Sequence, residues 1–222
     1  MTSSKTAAGH LSKGLLALMI GCFILDQVTK LIIVYNFDLP TPRITDAGFM
    51  IASDTVPIID GIFNIVRVHN TGVAFGLGNG TAWSSYVFMA IPIAAISILV
   101  CAFRRGFFNT PLLRIAWALL LAGVAGNLTD RLIQGFILNQ QHLQGANSFW
   151  DCLTGGYVVD FVDITIPWIN YTWPAFNVAD SCICIAAVLF IISSFLIESG
   201  KKAPIGEKPL HPEQSHTRLS SQ

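Results

Sequence analysis

The residues of this chain best suited to chemistry are aspartates and asparagines set among apolar neighbours. Gly126-Asn127-Leu128-Thr129-Asp130-Arg131 and Phe176-Asn177-Val178-Ala179-Asp180 each contain N-x-x-D. On a helix, positions i and i+3 share a face, so amide and carboxylate project together. A single such pattern serves as a helix cap, because Asn or Asp at a helix end satisfies free backbone groups. Two of them at one depth, on adjacent helices, favour a shared polar site. A third acid belongs with them. Tyr157-Val158-Val159-Asp160-Phe161-Val162-Asp163 alternates loosely between apolar and acidic positions and reads as an extended segment. Asp160 is flanked by Val159 and Phe161, and an apolar setting disfavours the charged carboxylate. Asp130 is followed by Arg131, a cation that favours the ionised form, so Asp130 reads as a fixed orienting group. Asp160 and Asp180 are then better placed to share a proton, although a solvated loop acid remains the competing reading of Asp160. Asp26 and Lys30, at i and i+4, lie on one helix face in the favourable acid-before-base order. They read either as an ion pair that only joins helices or as part of the same site.

The elements that must hold these groups are membrane helices. The chain has 222 residues, of which 53% are hydrophobic and 12% charged. A soluble domain carries roughly 25% charged residues. The mean hydropathy of +0.60 excludes a disordered chain as well. Net charge is zero, so no basic surface for nucleic acid is implied. Four segments approach the roughly 20 apolar residues that a bilayer crossing needs. They run from Gly14 to Val34, Tyr86 to Phe103, Pro111 to Leu128 and Ala175 to Ile197. A central Asp or Lys costs roughly 2.5–3.5 kcal/mol on insertion scales, which makes Asp26 and Lys30 informative.

Basic residues orient the spans. Lys5 and Lys13 precede the first, Arg104, Arg105 and Arg114 join the second to the third, and Lys201, Lys202, Lys208 and Arg218 follow the fourth. The long loops hold only Arg43, Arg67 and Arg131. The positive-inside rule then predicts cytoplasmic termini, with the loops and most aspartates outside. The expected organisation is a cytoplasmic tail (residues 1–13), a four-helix membrane domain (14–197) with outer loops 35–85 and 129–174, and a disordered cytoplasmic tail (198–222). Met19-Ile20-Gly21-Cys22 loosely resembles a lipoprotein cleavage box, but the apolar run continues through Phe23-Ile24-Leu25, as in a retained span. Strand character over Ile65–Val68, followed by the turn signal Asn70-Thr71-Gly72, fits a small β element over the site, or an ordinary surface hairpin. Five cysteines show no C-x-x-C and no ligand spacing with histidine, so no disulfide framework and no metal are expected. G-x-G-D, G-x-S-x-G and H-E-x-x-H are all absent.

Five pieces in order resemble the lipoprotein signal peptidase (signal peptidase II) family. They are Asp26-Gln27-Val28-Thr29-Lys30, Asn70-Thr71-Gly72-Val73-Ala74-Phe75-Gly76, Gly126 to Arg131, Val158-Val159-Asp160-Phe161 and Phe176 to Asp180. The resemblance spans residues 14–197 and implies a mainly α integral membrane protein of the bacterial cytoplasmic (inner) membrane, with four transmembrane helices and a small extracytoplasmic β element over the active site. It implies an aspartic endopeptidase that cuts diacylglyceryl-modified prolipoproteins before the lipidated cysteine; no cofactor is expected, and the expected state is a monomer, which the sequence by itself does not determine. The family's catalytic aspartates fall on Asp160 and Asp180. Its orienting or substrate-binding residues fall on Asp26, Lys30, Asn70, Asn127, Asp130, Arg131 and Asn177. One departure is an extra stretch near Phe136–Gly156, which adds no acid except Asp151 and is expected to be dispensable for chemistry. A small ion-coupled transporter subunit is the competing class, but it predicts acids spread through the bilayer midplane rather than gathered at one surface. A non-catalytic assembly factor would need no paired acids at one depth.

Overall fold

In the computed structural model, residues 11–45, 48–52, 55–71, 82–140 and 148–201 are described, with side chains excepted for 41–52, 82–85 and 198–201. Among the described residues, four helices are long and apolar enough to cross a membrane: α1 (Lys13–Asn36), α2 (Ala82–Arg104), α3 (Pro111–Gln140) and α5 (Val178–Lys201). A short helix, α4 (Phe149–Thr154), precedes the last strands. The protein is a multi-pass membrane protein in which most helix faces are exposed and apolar, as Ile98 and Phe195 illustrate at 67% and 65% exposure.

Where helices meet, small residues allow close approach, since lipid supplies no hydrophobic drive between them. Ala116 and Ala118 on α3 and Ala186 on α5 are fully buried. Gly123 on α3 lies so near α5 that a methyl group there would come within 2.5 Å of the Ala179 carbonyl oxygen. At the other end of the bundle, Trp117 stacks on Phe103 at 4.1 Å between centroids and donates its indole N–H to the Leu99 carbonyl (3.0 Å), tying α3 to α2.

Over one end of the helices lies an antiparallel sheet of six strands. These are β1 (Thr41–Thr45), β2 (Gly48–Ala52), β3 (Val56–Ile59), β4 (Phe63–Asn70), β5 (Val158–Ile166) and β6 (Tyr171–Phe176). Their order is β1-β2-β4-β5-β6, with β3 also on β4. The central pair β4–β5 places Val68 opposite Asp160 and Asn70 opposite Val158. Asn70 and Asp160 are therefore diagonal neighbours on one face of the sheet, within reach of polar side chains.

The structure differs from the sequence expectation in its helix boundaries and in the size of its sheet. Helix α3 continues to Gln140 rather than ending at Leu128, because the polar residues of its last turns face inward: Asp130 and Gln134 are 0% and 1% exposed. Helix α5 starts at Val178, while Ala175 and Phe176 close β6. The loops hold six paired strands, a larger sheet than expected, because β4 and β5 come from different loops and only their pairing completes it. The extra stretch near Phe136–Gly156 is built into the fold at both ends. Its first residues extend α3, and α4 packs on α3 where Gly135 faces the Cys152 carbonyl and Gly156 faces the Arg131 carbonyl, with no room for a methyl group at either. Gly72 of the expected turn and the motif residues through Gly76 lie outside the described residues, as do residues 1–10 and 202–222, whereas α5 continues helical to Lys201, past the tail boundary expected at 198.

Arg67 fastens the sheet to the bundle. Its guanidinium is 2% exposed and donates to the Val34 carbonyl (2.9 Å) and the Phe37 carbonyl (3.0 Å) at the end of α1, where helix carbonyls lack intrahelical partners. The charge also complements the negative helix end. Arg67→Met is expected to destabilise the protein by about 1–3 kcal/mol for each buried carbonyl left without a partner. Thermal unfolding in detergent reads this directly, and an unchanged midpoint would refute the capping role.

Candidate active site

The site begins with how α5 starts. Asn177 is its N-cap: the side-chain Oδ1 accepts from the Asp180 backbone N–H (2.9 Å), and the Asn177 backbone N–H donates to Asp180 Oδ2 (3.2 Å). This is a reciprocal capping box, with Asp in place of the commoner Glu. A third free amide, that of Ala179, donates to Asp26 Oδ1 (2.8 Å) from α1. One helix terminus thus holds two carboxylates through N–H groups that would otherwise be unpaired.

Lys30 occupies the space between α1 and α3. Its ammonium lies 2.8 Å from Asp26 Oδ2, 3.0 Å from Asp130 Oδ2 and 2.9 Å from Asn127 Oδ1. An ammonium has three N–H donors, and all three have acceptors. Lys30 and Asp26 are each 1% exposed, and Asp130 is fully buried. Asp130 also accepts from the Val159 backbone N–H (3.1 Å), which seats β5 on α3. Gln27 closes the arrangement by donating to Asp26 (3.0 Å), the Gly126 carbonyl (3.2 Å) and Asp130 (3.3 Å). Gly126 is required here, since a methyl group on it would lie 2.5 Å from Asp26 Oδ2.

Asp160 and Asp180 meet through asparagines. Asn177 Nδ2 donates to Asp160 Oδ1 (2.6 Å), and Asn70 Nδ2 donates to Asp160 Oδ2 (2.9 Å). Asn127 Nδ2 donates to Asp180 Oδ1 (2.8 Å), while its own Oδ1 accepts from Lys30 and from Asn177 (3.2 Å). Asp160 is 1% exposed, whereas Asp180 is half-buried and Asn70 exposed, so the group opens to the exterior beside Asp180. Burial, reinforced by the charge of Asp180, pushes the Asp160 carboxyl up to about 7; the hydrogen bonds from Asn70 and Asn177 and the charge of Lys30 oppose this. A carboxyl that keeps its proton near neutrality beside a second carboxylate can supply both an acid and a base.

Eight of the nine residues singled out from sequence are brought together in this hydrogen-bonded set. Arg131 is the ninth. Its guanidinium sits over the Phe88 ring, 5.2 Å from the centroid, and its charge acts on Asp160, Asp130 and Asp180 from a distance. The cation that pairs with Asp130 is therefore Lys30 and not the adjacent Arg131, because successive helix residues point in different directions. Sequence reasoning did not single out Gln27, a polar residue inside an apolar span and thus a visible signal. It also missed the Arg67–His69–Tyr157 cluster beside Asn70. His69 accepts from Arg67 Nε (3.0 Å) and stacks on Tyr157 at 3.7 Å between centroids. Burial, then the Arg67 charge, lowers its pKa to about 3, which favours the neutral imidazole that accepts from Arg67 and stacks on Tyr157.

Residues 18–196 match the family model described as signal peptidase (SPase) II. The chain belongs to the signal peptidase II family. Among its relatives, the lipoprotein signal peptidase of Geobacter sulfurreducens is 30% identical over 85% of this chain and 94% of its own length. That of Bacillus subtilis is 32% identical over 80% and 89%, and that of Ralstonia nicotianae 34% identical over 85% and 88%. A bacterial membrane enzyme solved by the in meso method at 2.3 Å resolution superposes with a TM-score of 0.64 at 26% identity, over 90% of this chain and 98% of that one. A second, at 1.9 Å, gives 0.62 at 27% identity, over 84% and 96%.

In this family member, Lys30→Met would leave Asp26 and Asp130 buried without their cation. Breaking a buried ion pair from one side costs about 3–5 kcal/mol. The variant should yield little folded protein, and the triple variant Asp26→Asn, Lys30→Met, Asp130→Asn should recover part of it. Detergent-solubilised yield and unfolding midpoint measure both. Equal stability of Lys30→Met and the native chain would overturn the role of the ammonium as the joint between α1 and α3.

Proposed function

We propose that Asp160 and Asp180 are the catalytic pair of this chain, a membrane aspartic endopeptidase of the signal peptidase II family that removes signal peptides from diacylglyceryl-modified prolipoproteins, cutting before the lipidated cysteine. The observation that carries the assignment is Asn177, which donates to both carboxylates at once, from its side chain to Asp160 and from its backbone to Asp180. Asp26, Lys30, Asn127, Asp130 and Asn177 orient the pair from below, and Asn70 holds Asp160 from the sheet. Arg131 is assigned to the rim, where its charge acts on the pair. All of these come from one chain, so a monomer suffices.

The chemistry follows from two coupled carboxylates holding one proton between them. The ionised member removes a proton from water, which attacks the scissile carbonyl carbon. The protonated member donates to the carbonyl oxygen. Collapse of the tetrahedral adduct breaks the C–N bond as a proton passes to the leaving amine. Burial of Asp160 favours the proton on that side, and the more open Asp180 faces the entry of water.

The distribution of basic residues supports an orientation with both termini cytoplasmic, tails 1–13 and 198–222 on that side, and the sheet on the outer face of the bacterial cytoplasmic membrane. The peptidase domain is then 14–197. Such a site suits a substrate whose lipid stays in the bilayer while its peptide bond meets water at the surface.

The deciding experiment incubates purified protein with a diacylated prolipoprotein and follows release of the signal peptide. Asp160→Asn, Asp180→Asn and the double variant should each lose nearly all activity, since groups acting as a unit are not additive. One positioned acid or base is worth roughly 10²–10⁴-fold. Asp130→Asn should instead lower the amount of folded protein. Full activity of Asp160→Asn would remove it from the pair.

The pH dependence has a defined sign. The proton on the pair is lost as pH rises through about 7, so cleavage per enzyme should fall on the alkaline side. Asn70 stabilises the ionised form of Asp160 through its hydrogen bond. Asn70→Ala should therefore shift the alkaline limb to higher pH. A limb that stays in place, or moves lower, would contradict the contact.

A further inference from the structure

Phe136, Phe149 and Trp150 form an aromatic cluster that the catalytic reading does not use. The Phe136 and Phe149 rings are 5.3 Å apart, and Phe149 meets Trp150 edge-on at 5.6 Å. Phe149 and Trp150 are 62% and 61% exposed. The helix that carries them, α4, is nevertheless firmly seated. Ser148 caps it by accepting from the Asp151 N–H (3.2 Å), Cys152 on its other side is buried, and Gly135 and Gly156 allow backbone to touch backbone against α3. Two large aromatic side chains are thus held outward by a rigid support.

What covers them is indicated by the helix beneath. Leu132 and Ile133 are exposed at 37% and 39% and precede Phe136 by four and three residues, so all three share a face of α3. That stripe continues a helix long and apolar enough to cross a membrane, and it lies about 32–33 Å along α3 from Pro111 at ~1.5 Å per residue. The stripe runs directly into the aromatic cluster. Phe136 lies about 38 Å along α3 from Pro111, at ~1.5 Å per residue. The hydrocarbon core is about 30 Å thick. The cluster therefore sits at the level of the headgroups, where Trp is enriched and an amphipathic ring is best solvated.

We propose that α4 is an interfacial foot: Phe136, Phe149 and Trp150 lie among the glycerol and headgroup atoms of phospholipid at the sheet end of the bundle. The foot joins the strand bearing Asp160 through Gly155-Gly156-Tyr157, so lipid contact at α4 helps set the depth of that carboxylate in the bilayer. The structure of the support explains why a stretch outside the catalytic set is packed so closely at its base.

The test uses the full chain in nanodiscs of phosphatidylcholine brominated either near the glycerol end or near the methyl end of the acyl chain. The difference in fluorescence between the native protein and Trp150→Phe isolates Trp150, with no change to Trp117, whose ring is packed in the bundle. Loss of the Trp150 signal in the glycerol-end lipid, and less loss in the methyl-end lipid, is the expected result. A Trp150 signal untouched by either lipid but quenched by aqueous iodide would place the ring in water and overturn the proposal. A signal shielded from both bromine and iodide would assign the surface to protein, such as a second copy of this chain, and overturn it equally.

Discussion

A single ammonium group in a place without water governs the arrangement. Lys30 is a strongly hydrated cation in solution, and inside the bundle every N–H must find protein. It finds Asp26 one turn earlier on its own helix and Asp130 and Asn127 on α3. These contacts set the separation and rotation of α1 against α3. Each acceptor then has a second task. Asp26 caps α5, Asp130 seats β5, and Asn127 holds Asp180. A substitution at this centre is therefore felt in two further helices and in the sheet, although no other side chain need touch Lys30.

The start of α5 unites stability with chemistry. A helix begins with free N–H groups that require acceptors. Here the acceptors are Asn177, Asp180 and Asp26, and capping them costs the site nothing because the opposite atoms of the same groups remain available. Asn177 uses Oδ1 for the cap and Nδ2 for Asp160. At Asn177 a helix cap and a hydrogen bond to Asp160 coincide, so the two readings of the N-x-x-D pattern do not exclude each other. They are compatible because an amide side chain is donor and acceptor at once.

The sheet supplies what helices cannot. Asp160 sits on β5 between buried Val159 and Phe161, and the adjacent β4 places Asn70 against it. Arg67, two strand positions before His69, locks the same strand to the carbonyl end of α1. The carboxyl that retains a proton near neutrality is thus positioned from three sides: helix cap, helix α3 and sheet. Its elevated pKa follows from the depth at which these contacts hold it, with Asp180 adding to the effect.

Much of this was determined by the sequence alone. Low charge density and four long apolar runs dictate a membrane bundle, because lipid admits little else. Polar residues inside such runs are costly enough that Asp26, Lys30, Asn127, Asn177 and Asp180 declare themselves, Asp130 follows just past the third run, and their ordered motifs carry the family. Only the tertiary structure decided which groups pair. Arg131 is next to Asp130 in the chain and yet Lys30 is its partner, because helix geometry turns neighbours apart and brings distant segments together. The last turns of α3 were hidden because their polar side chains face inward, reversing the usual relation between polarity and exposure. The six-stranded sheet was hidden because β4 and β5 are far apart in sequence, and strand pairing is a contact between segments rather than a property of either one.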